Sequence, residues 1–340
     1  MSEILTTKQR LDAFTLLGQL LETPDEHLAV LISSAKQFNA WFTPESTAMA
    51  VAAIAKMLNR NDLEVWLDRE DTQSEKPKAV GLILAGNIPL VGFHDILCVL
   101  ASGNKALIKL SSQDKLLIPY ILSKLTEIEP GFKDKIEYIE RLVDFDAVIA
   151  TGSNNTSRYF EYYFSKVPHI IRKNRNSVAV LTGDEQTDAL EKLGNDIFDY
   201  YGLGCRNVSK VYVPRGYNFS NFFEPIEGFK AVGDHHKYNN NYDYNKSIFL
   251  VNLDKHLDNG FLLLKEDERM ASPLAVLYYQ EYDDIRMLEQ ELIDKVDQIQ
   301  CIVSESGLSI ETVGFGESQS PKLWDYADGV DTMEFLRSIK

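Results

Sequence analysis

The sequence predicts a two-lobed α/β protein whose doubly wound parallel sheets follow a helical arm. Three observations predict it. Apolar residues in the first 70 positions recur at helical spacing, as in Leu11, Phe14, Leu17 and Leu21. From residue 78 onward, short apolar runs alternate with helical patterns, the signature of strand–helix–strand crossovers in a parallel sheet. At 340 residues the chain also exceeds one comfortable hydrophobic core.

The arm occupies residues 1–75. Breaks at Thr23-Pro24-Asp25 and Thr43-Pro44-Glu45-Ser46 supply helix starts, with Thr23 and Thr43 as caps and Pro24 and Pro44 at the first helical position. Residues 76–175 read as a dinucleotide-binding domain. It opens with a buried strand over 79–84, the loop Gly86-Asn87-Ile88-Pro89, and a helix over 90–102 that closes at Gly103-Asn104. A second strand covers 106–110, and Ser111-Ser112-Gln113-Asp114 caps a helix reaching residue 128. A third covers 145–150 and leads through Thr151-Gly152-Ser153 into a helix ending at Phe164. Residues 176–312 form the domain that carries the cysteine of interest, with strands over 177–181, 208–213, 246–253 and 274–279 and a helix over 188–201. The tyrosine-rich stretch 234–245 reads as a loop, and residues 313–340 as a segment returning to the first lobe.

Composition excludes several functions. A net charge of −16 opposes general nucleic-acid binding and adsorption to anionic membranes. Any site for an anionic ligand must then be locally basic, with Lys105, Lys109, Arg172, Lys173 and Arg175 as the candidates, or built from backbone N–H groups. The three cysteines, Cys98, Cys205 and Cys301, are widely spaced without a CxxC, so neither a disulfide framework nor a zinc site is expected. A reducing cytoplasm fits best. The N-terminus lacks a basic-then-apolar signal pattern, and no apolar stretch approaches a bilayer span.

Cys205 follows Gly202-Leu203-Gly204, where missing Cβ atoms let the backbone approach a ligand closely, and precedes the strand Val211-Tyr212-Val213. A thiolate so placed can attack carbonyl and thioester carbons, although a lone cysteine is more often a small core residue. Asn87 lies at the carboxyl end of a strand, where it can aim an amide at an oxyanion or simply make a turn. Lys109 ends the next strand, within reach of a ribose or phosphate, and Thr151-Gly152-Ser153 offers helix N-terminal amides to a phosphate. His235-His236 is not a metal pair, because adjacent side chains face apart and no other ligand sits at suitable spacing; no metal is expected. His94 reads as a structural polar residue.

In this order and spacing the motifs resemble the aldehyde dehydrogenase superfamily. They are similar in particular to its acyl-CoA reductase branch, typified by the fatty-acid reductase subunit of the bacterial luciferase system. The match rests on Gly86-Asn87-Ile88-Pro89-Leu90, Ala101-Ser102-Gly103-Asn104, Ile108-Lys109-Leu110-Ser111-Ser112, Gly202 through Lys210, and Gly314-Phe315-Gly316-Glu317-Ser318 with Asp325 to Asp331. The resemblance implies an aldehyde dehydrogenase-like fold and Cys205 as nucleophile, with Asn87 as oxyanion donor. It implies Lys109, Ser111, Gly152, Ser153 and Gly202 on the cofactor, NADPH with NADH as alternative. The implied reaction reduces an acyl thioester, from coenzyme A or an acyl carrier, to the aldehyde through a thioacyl-cysteine. A homo-oligomer or an acyl-transferring partner protein would accompany it.

Two departures matter. Hydrolytic relatives place a glutamate base where this chain has Ile171-Arg172-Lys173-Asn174-Arg175-Asn176-Ser177, so aldehyde release is favoured over hydrolysis to acid. The ribose glutamate expected before Pro273 is replaced by Arg269-Met270-Ala271-Ser272, with Glu266 and Glu268 nearest. The rival readings are an acyl-cysteine transferase or thioesterase, and a non-catalytic partner subunit of the same fold.

Overall fold

The computed structural model describes residues 5–68, 77–152, 154–305 and 307–339. They belong to two units, Met1–Asn174 with Pro321–Lys340 and Arg175–Ser320.

The first unit begins with helices Thr7–Glu22, Glu26–Ser34, Pro44–Met57 and Arg60–Asp68. Thr6 and Gln9 form a reciprocal capping box, which fixes the first start. Thr43 caps the third helix with Pro44 at its first position, as the sequence predicts. The second start differs. Thr23 instead closes the first helix, and Asp25 caps the second by accepting from the Leu28 N–H at 2.8 Å. A carboxylate outcompetes the threonine because it also accepts the Tyr120 hydroxyl at 2.6 Å, a bond that holds the Asp25 carboxyl down to about 2.

Behind the arm lies a five-stranded parallel sheet: β1 (Ala79–Ile83), β2 (Lys105–Lys109), β3 (Ile136–Tyr138), β4 (Ala147–Thr151) and β5 (His169–Arg172), ordered β3-β2-β1-β4-β5. Val80, Leu82, Ile108 and Val148 are fully buried, the near-continuous apolar character of strands covered on both faces. Helices Phe93–Ala101, Leu117–Ile128 and Asn154–Phe164 make the crossovers. Asn104 closes one turn by accepting from the Lys78 N–H and donating to Ser102 Oγ.

The second unit holds β6 (Asn176–Val180), β7 (Val208–Pro214), β8 (Leu257–Asp258), β9 (Leu263–Glu266), β10 (Val276–Tyr282) and β11 (Ile299–Val303), ordered β11-β6-β7-β10-β9-β8. Only β8 runs antiparallel to its neighbour. Val178, Val180, Tyr212, Leu288, Leu292 and Ile299 form a core beneath helix Ile285–Asp294. The strand expected over 246–253 and the loop expected over 234–245 are instead one helix, His236–Asn252. Its buried stripe is Tyr238, Tyr242, Asn245 and Phe249, a helical period obscured by polar residue types. Asn245 fits there because its amide donates to the Asn241 and Leu274 carbonyls.

Candidate active site

In the first unit the chain leaves β1 toward β2 on one side and reaches β4 on the other, so the sheet order reverses between β1 and β4. Open α/β sheets bind ligands outside the strand carboxyl ends at such a point. Asn87, Lys109, Ser111 and Gly152 all stand on this edge, after β1, β2 and β4. Asn87 is exposed. A Cβ on Gly86 would collide with Ser111, so glycine lets the loops after β1 and β2 touch. Asn39 donates to the Gly86 carbonyl at 3.2 Å, and Asp114 accepts the Leu90 N–H at 2.9 Å. That bond holds Leu90 at φ 61°, a left-handed conformation leucine seldom adopts. Asp114 is buried, which pushes its carboxyl up to about 6.

Lys109 Nζ donates to the Glu140 carbonyl at 2.9 Å, so its ammonium is fixed at the sheet edge. A Cβ on Gly152 would lie 3.0 Å from Phe160 and 3.1 Å from Thr156, so the turn out of β4 is seated on the helix that follows it. Ser153 lies outside the described residues. The helix that follows, Asn154–Phe164, starts beside the reversal point.

Cys205 and Gly202 belong to the second unit. Helix Thr187–Phe198 ends in a tight turn where Tyr200, Tyr201 and Gly202 have φ of 52°, 60° and 77°. Two non-glycine residues in succession at positive φ are costly and persist only where neighbours fix them. Here Asn207, which is buried, does so. Its amide donates to the Asp199 and Asp196 carbonyls at 2.8 and 3.1 Å, and its Oδ1 accepts the Gly204 N–H at 2.8 Å. The result presents Cys205, which is exposed, immediately before β7. Behind the loop a cavity of about 70 Å³ is lined by Gly202, Gly204, Tyr238, Ser272 and Leu274, and Cys205 does not line it.

The basic run offered as a site for an anionic ligand works otherwise. Arg172 is buried and makes a two-pronged ion pair with Asp95 at 2.6 and 3.1 Å; it also donates to the Ala327 carbonyl and Thr332 Oγ1. Lys173 pairs with Glu161, and Arg175 donates to the Val296 and Ile299 carbonyls. His94 faces the Leu323 carbonyl at 2.9 Å and packs between Trp66 and Tyr326. His235 and His236 do not face apart as expected but stack on each other, because His235 is the cap that precedes the helix starting at His236, with Tyr201 against His235. Arg269 pairs with Asp267, while Glu266 and Glu268 are exposed. Lys210, the end of the cysteine motif, is buried on Gln280 and the Glu268 carbonyl.

Sequence reasoning missed the residues that hold the loop. Asn207 is one; Asp196, which accepts the Gly316 and Ser318 N–H groups, is another, and Ser177 a third. Asn207 had a faint signal, a turn-prone side chain two residues beyond the cysteine.

Two sheet lobes, all but one of whose strands run parallel to their neighbours, give the chain an aldehyde dehydrogenase-like fold. The fold is similar to an indole-3-acetaldehyde dehydrogenase solved with NAD+ (14% identity, 90% of this chain and 73% of that one, TM-score 0.64). It is similar also to the aldehyde dehydrogenase KauB of Pseudomonas aeruginosa (16%, 90% and 73%, 0.62) and to the NAD+ complex of a Bacillus cereus aldehyde dehydrogenase (14%, 90% and 73%, 0.61). No curated protein matches the chain. The profile of the acyl-CoA reductase family (LuxC) matches residues 32–220, and the chain belongs to that family. Membership supports an oxidoreductase acting on acyl or aldehyde groups.

Proposed function

We propose that this protein reduces an acyl thioester, with fatty acyl-CoA as the first substrate to test, to the aldehyde. Cys205 Sγ attacks the thioester carbon, forming a thioacyl-cysteine and releasing the carrier as a thiol that takes up the cysteine proton. The Asn87 amide and the Cys205 N–H are the donors for the oxyanion of that step. Lys109, Ser111, Gly152 and Ser153 hold the cofactor's ribose and phosphate, with Gly202 beside it; NADPH is proposed first and NADH as the alternative. When bound, the reduced nicotinamide supplies the hydride that takes the acyl group to the aldehyde level. With one proton from water, aldehyde leaves and Cys205 regains its thiol. Where hydrolytic relatives keep a glutamate, this chain has Arg172 at the end of β5 and Asn174 and Arg175 in the link to β6, with no carboxylate, which favours aldehyde over acid.

One observation carries this reading: an exposed cysteine on a strained glycine turn, fixed by a buried asparagine, in a chain of the acyl-CoA reductase family. The test follows NADPH absorbance with a long-chain acyl-CoA, comparing the wild type with Cys205→Ala. Cofactor consumption with aldehyde formed by the wild type alone is expected. Acylation of Cys205 without reduction would instead establish a transferase, and no adduct a non-catalytic subunit.

A further inference from the structure

We infer that Ser177, backed by Cys301, is a positioning residue that sets the direction of the Cys205 backbone for attack on the thioester. This rests on the reading of Cys205 as the nucleophile. Ser177 stands on β6 and is fully buried. Its Oγ lies 2.9 Å from the Cys205 carbonyl oxygen and 3.0 Å from Cys301 Sγ on β11, the neighbouring strand. A carbonyl oxygen only accepts, so the serine hydrogen goes to Cys205. The Cys301 S–H is then the donor to the serine oxygen.

The chain therefore runs one way, from Cys301 S–H to Ser177 O–H to the Cys205 carbonyl, and each bond polarises the next. Burial supports that order by pushing the Cys301 thiol up to about 11, so it keeps its proton at neutral pH. The geometry at Cys205 gives the chain its purpose. Peptide units are planar, so a residue's N–H turns with the carbonyl before it. The Gly204 carbonyl is held by the Asn207 N–H at 3.1 Å, which fixes the plane containing the Cys205 N–H. The Cys205 carbonyl is held by Ser177 at 2.9 Å, which fixes the plane after it. With both flanking planes held, the Cα–Cβ bond and the N–H of Cys205 have one orientation.

The experiment compares two reactions of the same sulfur. Alkylation by iodoacetamide develops no oxyanion and tolerates many approach angles, whereas acylation by a thioester or p-nitrophenyl ester needs the aligned N–H and trajectory. Peptide mass mapping places each adduct on Cys205. Ser177→Ala is expected to slow acylation at least about 10-fold while alkylation stays within about twofold. Cys301→Ala, which leaves Ser177 in place, is expected to slow acylation about threefold. Equal slowing of both reactions would mean that the loop has simply loosened, and no slowing would mean that Asn207 suffices; either overturns the inference. Slowing by Ser177→Ala without any by Cys301→Ala would overturn the part assigned to Cys301. A wild type alkylated at Cys205 yet never acylated would overturn the thioester reading, and this inference with it.

Discussion

At the scale of single residues, the site depends on groups whose environments are unlike water. Asn87 is exposed on a loop whose neighbours Gly86 and Leu90 are held by Asn39 and Asp114, and on the proposed reading that held backbone lowers the cost of aiming its amide. Asn87→Ala is expected to lower kcat about 100-fold with little change in KM, measured by steady-state aldehyde formation. Asp199 opens the strained turn. Burial, with Asp196 close by, pushes its carboxyl up to about 7. Unfolded, the same group titrates near pH 4. Between those values the folded chain holds the extra proton, so this group's contribution to stability falls as pH rises from about 4 to about 7 and stays low above. Asp199→Asn is therefore expected to raise stability by about 1–2 kcal/mol at pH 8, discounted for partial exposure, and to change nothing at pH 4. Paired thermal melts at the two pH values decide it.

At the scale of elements, β5 ends in Arg172, whose guanidinium joins the Phe93–Ala101 helix through Asp95 and the C-terminal segment through Ala327 and Thr332. Asp95→Ala would leave that charge buried and unpaired, so a loss of about 3–5 kcal/mol is expected in urea unfolding. This cluster shows what the sequence leaves hidden. Read along the chain, Arg172 to Arg175 is an exposed basic run; only the fold shows which members are buried and on what. The strands β1, β2, β4 and β6 were legible because each carries an unbroken apolar run, and β7 through Val211-Tyr212-Val213. β3 and β5 were not, being three and four residues long, and β11 was not because the polar Gln300 breaks its apolar run. The helix His236–Asn252 was misread because polar residue types hide its period: Asn241 and Asn245 donate to the Lys237 and Asn241 carbonyls one turn back, and Tyr242 donates to Asp258. Cys205 and Asn87 stood out by their glycine neighbours, whereas Ser177 had no signal: it matters through a partner 28 residues away.

For the whole molecule, the net charge of −16 sets how an anionic substrate arrives. The local cations do little to counter it. Lys105 is paired with Glu137, Lys173 with Glu161, and Arg172 is buried. For the substrate proposed above, a polyanionic coenzyme A thioester, the encounter is repulsive at long range. On the proposed reading, kcat/KM is expected to rise severalfold between about 20 and 200 mM salt; a fall would reveal a guiding basic patch. The division of the chain carries another consequence. The first unit draws its residues from both sides of the second in sequence. During synthesis Arg172 emerges from the ribosome 160 residues before Thr332. At about 5–20 residues per second that is a wait of roughly 10–30 s. Through that interval the nascent first sheet exists without its closing helix while the second lobe is still being made. Chaperones that shield unfinished chains would find their longest engagement with this protein there, and slowing translation of the second half would lengthen it.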